Sequence, residues 1–325
     1  METTFHMRDG VQLRGQIHDP PSCTTPKALC IIAHPYARLG GSLDDHVVQS
    51  LAYALSSASS PQPHAAATAT ATAPRTCVPA RVVLVNARGA SSGSYLAGAA
   101  DAADSAGSAS WTGSTEAADF QAVLDISIEQ FAAAWPHAAG VPLVLCVRPT
   151  AKLPQGYSAG ALYASSARRP AERRIQLQPD VTPSAAALRT KYVLLSYPLD
   201  VLWALSLFRS GTYTKRLEAL LQPPQAPRDA DQAIPIDVLM VHGNEDQFTK
   251  KTSYDNLCLR LASIAADSAV AMSNKAADAG AAAAVSPPAT FRHHCIEGAD
   301  HFWRSKRQRQ QMIEVIMRFL GPEEI

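Results

Sequence analysis

Uninterrupted apolar runs, each closed by a polar loop, recur along the chain and alternate with stretches in which apolar residues return every three or four positions. The runs near 29–34, 81–86, 141–147, 191–196, 236–241 and 291–296 read as strands buried on both faces, because a strand with one wet face would alternate apolar and polar residues. Between them, 45–57 predicts a helix with Val47, Val48, Leu51 and Leu55 on one side. A helix starting at Thr115 carries Phe120, Val123, Leu124, Ile126, Ile128 and Phe131 on its buried surface. Further helices are expected after Ser158, where Leu162 and nearby alanines can pack, and over 253–264 and 311–320. Strands alternating with helices imply an α/β fold, a mainly parallel sheet flanked by helices on both faces.

Three segments interrupt this pattern. The stretch 59–79 is rich in Ala, Thr and Pro and offers little to pack, and 265–288 is alanine-rich and proline-ended; both are expected to be flexible, low-complexity insertions. The stretch 147–155 contains Arg148, Pro149, Lys152 and Pro154 and does not continue the apolar run before it, so an irregular, poorly packed bulge is expected there. Between 200 and 221, Leu202, Trp203, Leu205, Leu207, Phe208, Tyr213, Leu217 and Leu220 serve two readings equally, a small lid or substrate-facing helix and plain packing against the sheet.

Composition adds bounds to this picture. With 325 residues, 47% of them hydrophobic, the chain can bury a substantial core, and one domain over 1–325 enlarged by loops is the simplest organisation. A net charge of +1 gives no ground for nucleic-acid binding, and the basic run 304–309 reads as the solvated start of a helix. The six cysteines are scattered without C-x-x-C spacing and several lie in apolar runs, which fits reduced packing residues better than a disulfide framework or a metal site. The first residues lack the basic flank and apolar run of a signal peptide, and no apolar stretch reaches transmembrane length; a cytoplasmic protein is expected.

Candidate chemistry comes from Gly156-Tyr157-Ser158-Ala159-Gly160, a G-x-S-x-G pentapeptide whose glycines let a strand turn sharply into a helix and project the Ser158 hydroxyl. Asp246 follows the strand run that ends His242-Gly243-Asn244-Glu245, and His301 follows the run that ends Glu297-Gly298-Ala299-Asp300. Serine, acid and histidine thus come in that chain order, with Asp246 and His301 each just beyond a strand end and 147–155 intervening between the preceding strand and Ser158. Asp300 is the competing acid, but it shares the short loop of His301, whereas Asp246 ends a separate strand.

The blocks His34-Pro35-Tyr36 with Gly40-Gly41 and Asp44-Asp45, Asn86-Ala87-Arg88-Gly89, the G-Y-S-A-G elbow, His242-Gly243-Asn244-Glu245-Asp246 and Gly298-Ala299-Asp300-His301-Phe302 together resemble a group of small α/β-hydrolase-like proteins. The resemblance covers roughly 28–320 outside the low-complexity inserts and implies an α/β-hydrolase fold. It implies Ser158 as nucleophile, His301 as base and Asp246 as the acid that fixes the imidazole tautomer. The oxyanion donors would be the backbone N–H groups of Ala159 and Tyr36; Pro35 has none to give. His34 and Arg88 are expected to orient and tie loops, and Gly40 and Gly41 either bring the loop close to the site or merely permit a turn. No metal cluster, nucleotide loop or flavin motif is evident, so no cofactor is expected. The leading expectation is a serine esterase, a carboxylic-ester hydrolase taking a small-molecule acyl substrate. The alternative is a non-catalytic binding or regulatory protein of the same fold, in which 147–155 displaces the nucleophile.

Overall fold

The computed structural model describes residues 1–21, 25–26, 28–34, 37, 41–57, 79–90, 107–110, 113–135, 143–147, 159–166, 190–206, 210–223, 236–279 and 288–321. The expected insertion 59–79, apart from Pro79, lies outside them. The strands are β1 (Glu2–His6), β2 (Gln12–His18), β3 (Ala28–Ala33), β4 (Ala80–Val85), β5 (Leu143–Val147), β6 (Thr190–Leu195), β7 (Ile236–Glu245) and β8 (Thr290–Asp300). They form one eight-stranded sheet in the order β1-β2-β4-β3-β5-β6-β7-β8. From β4 to β8 every neighbouring pair is parallel, and only the pairings of β2 with β1 and with β4 are antiparallel.

Burial on both faces explains the continuous apolar runs of β3, β4, β6 and β7; the expectation for 291–296 is corrected, because β8 is an edge strand on which Arg292, His293, His294 and Cys295 are exposed. In β3, Ile31 joins one core while Cys30 and Ile32 join the other. The first core is covered by α2 (Ser114–Ala134), α3 (Ala159–Ser165), α5 (Ser210–Leu221) and α6 (Lys251–Ala279), the second by α1 (His46–Ser56) and α7 (Lys306–Leu320). The predicted stripe of α1 is fully inside, with Val47, Val48 and Leu51 at 0% exposure, and the Asp45 carboxylate caps the helix by accepting from Val47 N–H at 3.0 Å. Ser305 caps α7, which starts at Lys306 rather than at 311, and its Met312, Ile316 and Phe319 are buried.

The hairpin β1–β2 was not expected. Its buried residues alternate with polar ones, Phe5 and Met7 on one side of the turn and Leu13 and Ile17 on the other, so no apolar run announces it. The available signal was Asp9-Gly10 between two alternating stretches, and Gly10 does take the turn at φ +84, a conformation that side-chain-bearing residues rarely adopt.

The segment expected to be loose from 265 onward is corrected in its first part. One helix, α6, runs without a break through Ile264 to Ala279; 280–287 lie outside the described residues. Alanine has the highest helix propensity, and Leu257, Cys258, Leu261, Ala265 and Ser268 keep one buried face. The region 200–221 resolves toward packing. A 3-10 turn, Leu199–Val201, leads into α4 (Leu202–Leu205), and Leu202, Leu205, Tyr213, Leu217 and Leu220 all join the first core, while Trp203 is 54% exposed. Leu207 and Phe208 lie outside the described residues. Among the described residues, no helix is long and apolar enough to cross a membrane.

Candidate active site

The carboxyl ends of the parallel strands are where ligands bind in open α/β sheets, and Asp246 and His301 stand at that edge. Strands β7 and β8 run farther than their apolar cores, ending in the paired residues Glu245 and Asp300. Asp246 and His301 are the next residue on each strand, so the register alone brings acid and imidazole side by side. The pairing is irregular between Gly243 and Glu245, where β8 carries extra residues. There the two backbones nearly touch: a Cβ on Gly243 would lie 1.9 Å from the carbonyl oxygen of Ala299. A backbone oxygen cannot rotate away as a side chain would. Gly243→Ala is therefore expected to cost about 1–3 kcal/mol or more and to spread the strand ends. Denaturant unfolding of the variant checks this, and a variant as stable as the parent contradicts the close approach.

His301 Nδ1 lies 2.8 Å from Oδ1 and 2.7 Å from Oδ2 of Asp246. Neither side chain is exposed to solvent. The carboxylate is held from three further directions: the Phe248 and Thr249 N–H groups donate to Oδ1 at 2.8 and 3.0 Å, and the Tyr254 hydroxyl donates to Oδ2 at 3.0 Å. An ionised carboxylate only accepts, so the proton of the neutral imidazole belongs on Nδ1 and the lone pair on Nε2. Tyr254 is buried from the first turn of α6, and burial first, with the Asp246 charge second, raises its pKa well above the ordinary phenol value. It stays a hydroxyl donor. Phe248 packs edge-on against His301 with ring centres 4.6 Å apart, and Gln247 accepts the His301 backbone N–H at 3.2 Å.

Two more residues anchor the His301 loop. Trp303 and Ser196 take left-handed backbone conformations, φ 54 and φ 43, that are strained for residues with side chains. The Trp303 indole N–H donates to the Ser196 hydroxyl at 3.1 Å, pinning the segment after His301 to the end of β6. Asp300 faces elsewhere, accepting from the Arg304 guanidinium at 3.1 Å.

Around this pair the expected loop ties are in place. His34 Nε2 accepts from the Ala87 N–H at 2.6 Å, joining the loops after β3 and β4. Arg88 reaches both oxygens of Asp119 on α2 at 2.6 and 2.8 Å and Asp9 in the hairpin turn at 2.6 Å. Hydrogen bonds to both carboxylates raise its pKa further, so it is a permanent cation. Of the other candidates, Ala159 opens α3, which packs on β5 and β6. Ser158 and Tyr36 lie outside the described residues, as do Pro35 and Gly40. The irregular segment expected over 147–155 is corrected at its start: Val147 is in β5, paired with Ala33 and Leu194, because parallel partners on both sides take up its main-chain groups. Residues 148–155 lie outside the described residues.

Missed at the level of sequence were Phe248, Tyr254, Gln247 and Ser196. The Asp246-x-Phe248-Thr249 spacing ahead of a helix carried a signal for the first, since a short acidic side chain there accepts N–H groups two and three residues on. Nothing local marks Ser196 or Tyr254, which meet their partners only in three dimensions.

No protein-family model and no curated protein sequence matches the chain. Solved structures do. An alpha-beta serine hydrolase homologue from Coxiella burnetii superposes with a TM-score of 0.51 at 16% identity, over 99% of this chain and 97% of that one. Est1E from Butyrivibrio proteoclasticus, with ferulic acid bound, gives 0.52 at 10% identity over 98% and 97%. A thermophilic esterase from Thermogutta terrifontis, with propionate bound, gives 0.52 at 14% identity over 98% and 93%. At such identities the likeness concerns the fold, and with the sheet order above it establishes that this chain has the α/β-hydrolase fold.

Proposed function

We propose that the chain is a serine hydrolase of the carboxylic-ester type, one cytoplasmic domain working through a covalent acyl-enzyme. Ser158 is the nucleophile, His301 the base and Asp246 the acid that orients it. The observation that carries this reading is the buried His301–Asp246 pair, which sets the imidazole in the tautomer a general base needs.

In the first half-reaction the Ser158 hydroxyl adds to the ester carbonyl carbon while its proton passes to His301 Nε2. The tetrahedral oxyanion is held by the Ala159 and Tyr36 backbone N–H groups. The adduct collapses, breaking the bond to the alcohol oxygen, which leaves with the proton from Nε2. Water then attacks the acyl-enzyme by the same proton path in reverse, releasing the acid and free serine. The Asp246 carboxylate accepts from Nδ1–H and stabilises the transient imidazolium. The substrate is a small-molecule ester with a small or moderately apolar acyl group. Neighbouring structures of the fold support this class: Est1E holds ferulic acid, and the Thermogutta esterase holds propionate and is phosphorylated by paraoxon.

An organophosphorus probe tests the nucleophile without the natural substrate. A fluorophosphonate is expected to label the folded chain once, and Ser158→Ala is expected to remove both the label and ester turnover. A folded parent that takes no label turns the reading toward a non-catalytic binding protein of this fold.

A further inference from the structure

Beside Tyr254, whose ring stacks on His242, a second group of chemically capable side chains comes together. His242 on β7, Cys258 on α6 and His293 on β8 each place one ligand-competent atom within 4.8 Å of the other two. The Met240 thioether lies 3.9 Å from the Cys258 sulfur. His242, Cys258 and Met240 are at most 2% exposed, whereas His293 is at the surface. The cluster is thus closed on the protein side and open on one, with the exposed His293 at the mouth. The His242 ring stacks on Tyr254 with centres 4.0 Å apart, and its Nδ1 is 3.3 Å from the Gly243 carbonyl. A carbonyl can only accept, so that contact puts the ring proton on Nδ1 and leaves the Nε2 lone pair for a ligand bond, the outer hydrogen bond that metal-bound imidazoles characteristically keep.

We propose that His242, Cys258 and His293 form a binding site for a thiophilic metal ion of the Zn²⁺ or Cu⁺ type. The donors are two imidazoles and a thiol beside a thioether, a set that suits these ions and offers no oxygen for Mg²⁺ or Ca²⁺. Zinc bonds of about 2.0–2.3 Å put ligand atoms of a tetrahedral site roughly 3.3–3.8 Å apart, so closure requires about 1 Å of contraction. The exposed His293 can supply it by turning about its side-chain bonds. The fourth position falls to water for Zn²⁺ or to the Met240 thioether for Cu⁺. On binding, a metal–sulfur bond forms as the Cys258 S–H bond breaks and its proton passes to solvent; the imidazoles bind neutral, and nothing is oxidised or reduced. The three ligands come from β7, α6 and β8, far apart in the chain, which is why cysteine spacing alone pointed away from a metal.

Zn²⁺ titrated into chelator-stripped full-length chain against a chromophoric competitor tests the site, with Co²⁺ as the spectroscopic probe. One equivalent is expected to bind, and Co²⁺ is expected to show thiolate-to-metal charge-transfer absorption. Cys258→Ser should abolish that absorption and weaken zinc at least ~10-fold, and so should His293→Ala weaken zinc. The latter changes only a surface side chain and keeps the test sound if the buried variant fails to fold. Cys295, exposed on the same strand as His293, is the alternative thiolate, and Cys295→Ser is expected to leave both readouts intact. The proposal is overturned if His293→Ala binds zinc as tightly as the parent, if Cys295→Ser removes the absorption, or if no single-equivalent phase appears.

Discussion

Replacing Asp246 with asparagine is expected to lower ester turnover by ~10⁴-fold while leaving the chain folded. The size follows from what the carboxylate does and what an amide can keep. An asparagine oxygen can still accept the Phe248 and Thr249 N–H groups, so the turn that leads into α6 survives. The amide nitrogen then takes the Oδ2 place, beside Tyr254 and, at 2.7 Å against 2.8 Å, the nearer of the two positions to His301 Nδ1. A hydroxyl can accept as well as donate, so the Tyr254 contact survives with its direction reversed. The imidazole cannot be indifferent in this way. An amide N–H facing Nδ1 draws the lone pair there and moves the ring proton to Nε2, and a ring protonated at Nε2 cannot take a proton from Ser158. The loss therefore falls on kcat and not on thermal unfolding, and both are measured on the same preparation. Asp300→Asn is the control. Its carboxylate pairs with exposed Arg304 and not with His301, so unchanged turnover is expected. If Asp300→Asn proved the damaging variant and Asp246→Asn the silent one, the acid would be misassigned.

The parts of this architecture that sequence reveals are those fixed by local pattern. Four of the parallel strands, β3, β4, β6 and β7, were readable because each is buried on both faces, which favours a run such as Val238-Leu239-Met240-Val241 with no polar interruption. Asp246 and His301 were readable because each follows a strand segment by a few residues, which puts it at the sheet's edge. The hairpin β1–β2 was hidden because one of its faces is wet and Thr, Arg and Gln dilute its signal. The second half of α6 was misread for the opposite reason: beyond Ile264 it keeps its buried face with Ala265 and Ser268, too small to register as an apolar stripe. What sequence cannot carry is the approach of distant backbones. The contact of Gly243 with Ala299, the Trp303–Ser196 anchor and the convergence of His242, Cys258 and His293 are products of packing, and no short window contains both partners of any of them.

Deleting 148–155 is expected to raise Ser158-dependent ester turnover by up to ~10²-fold, the effect a misplacement of about 1 Å has on a reacting group. The strand before the pentapeptide is complete at Val147, which pairs with Ala33 on one side and Leu194 on the other. The helix after it begins at Ala159 and packs on β5 and β6. A strand-to-helix elbow requires few residues between these points, and Gly156-Tyr157-Ser158 supplies them. The eight residues removed contain Pro149 and Pro154, which cannot donate to a ladder, and Arg148 and Lys152, which do not extend an apolar strand. Joining Val147 directly to Gly156 leaves every strand pairing and the whole of α3 in place, so the deletion form should fold, as circular dichroism and thermal unfolding would record. Turnover and fluorophosphonate labelling are then compared between the two forms, each with its Ser158→Ala control. A gain in the deletion form locates the constraint on the nucleophile in this segment. A folded deletion form with lower turnover has the contrary meaning: 148–155 then positions the serine or the substrate, and the chain uses a longer elbow than the compact one its glycines permit.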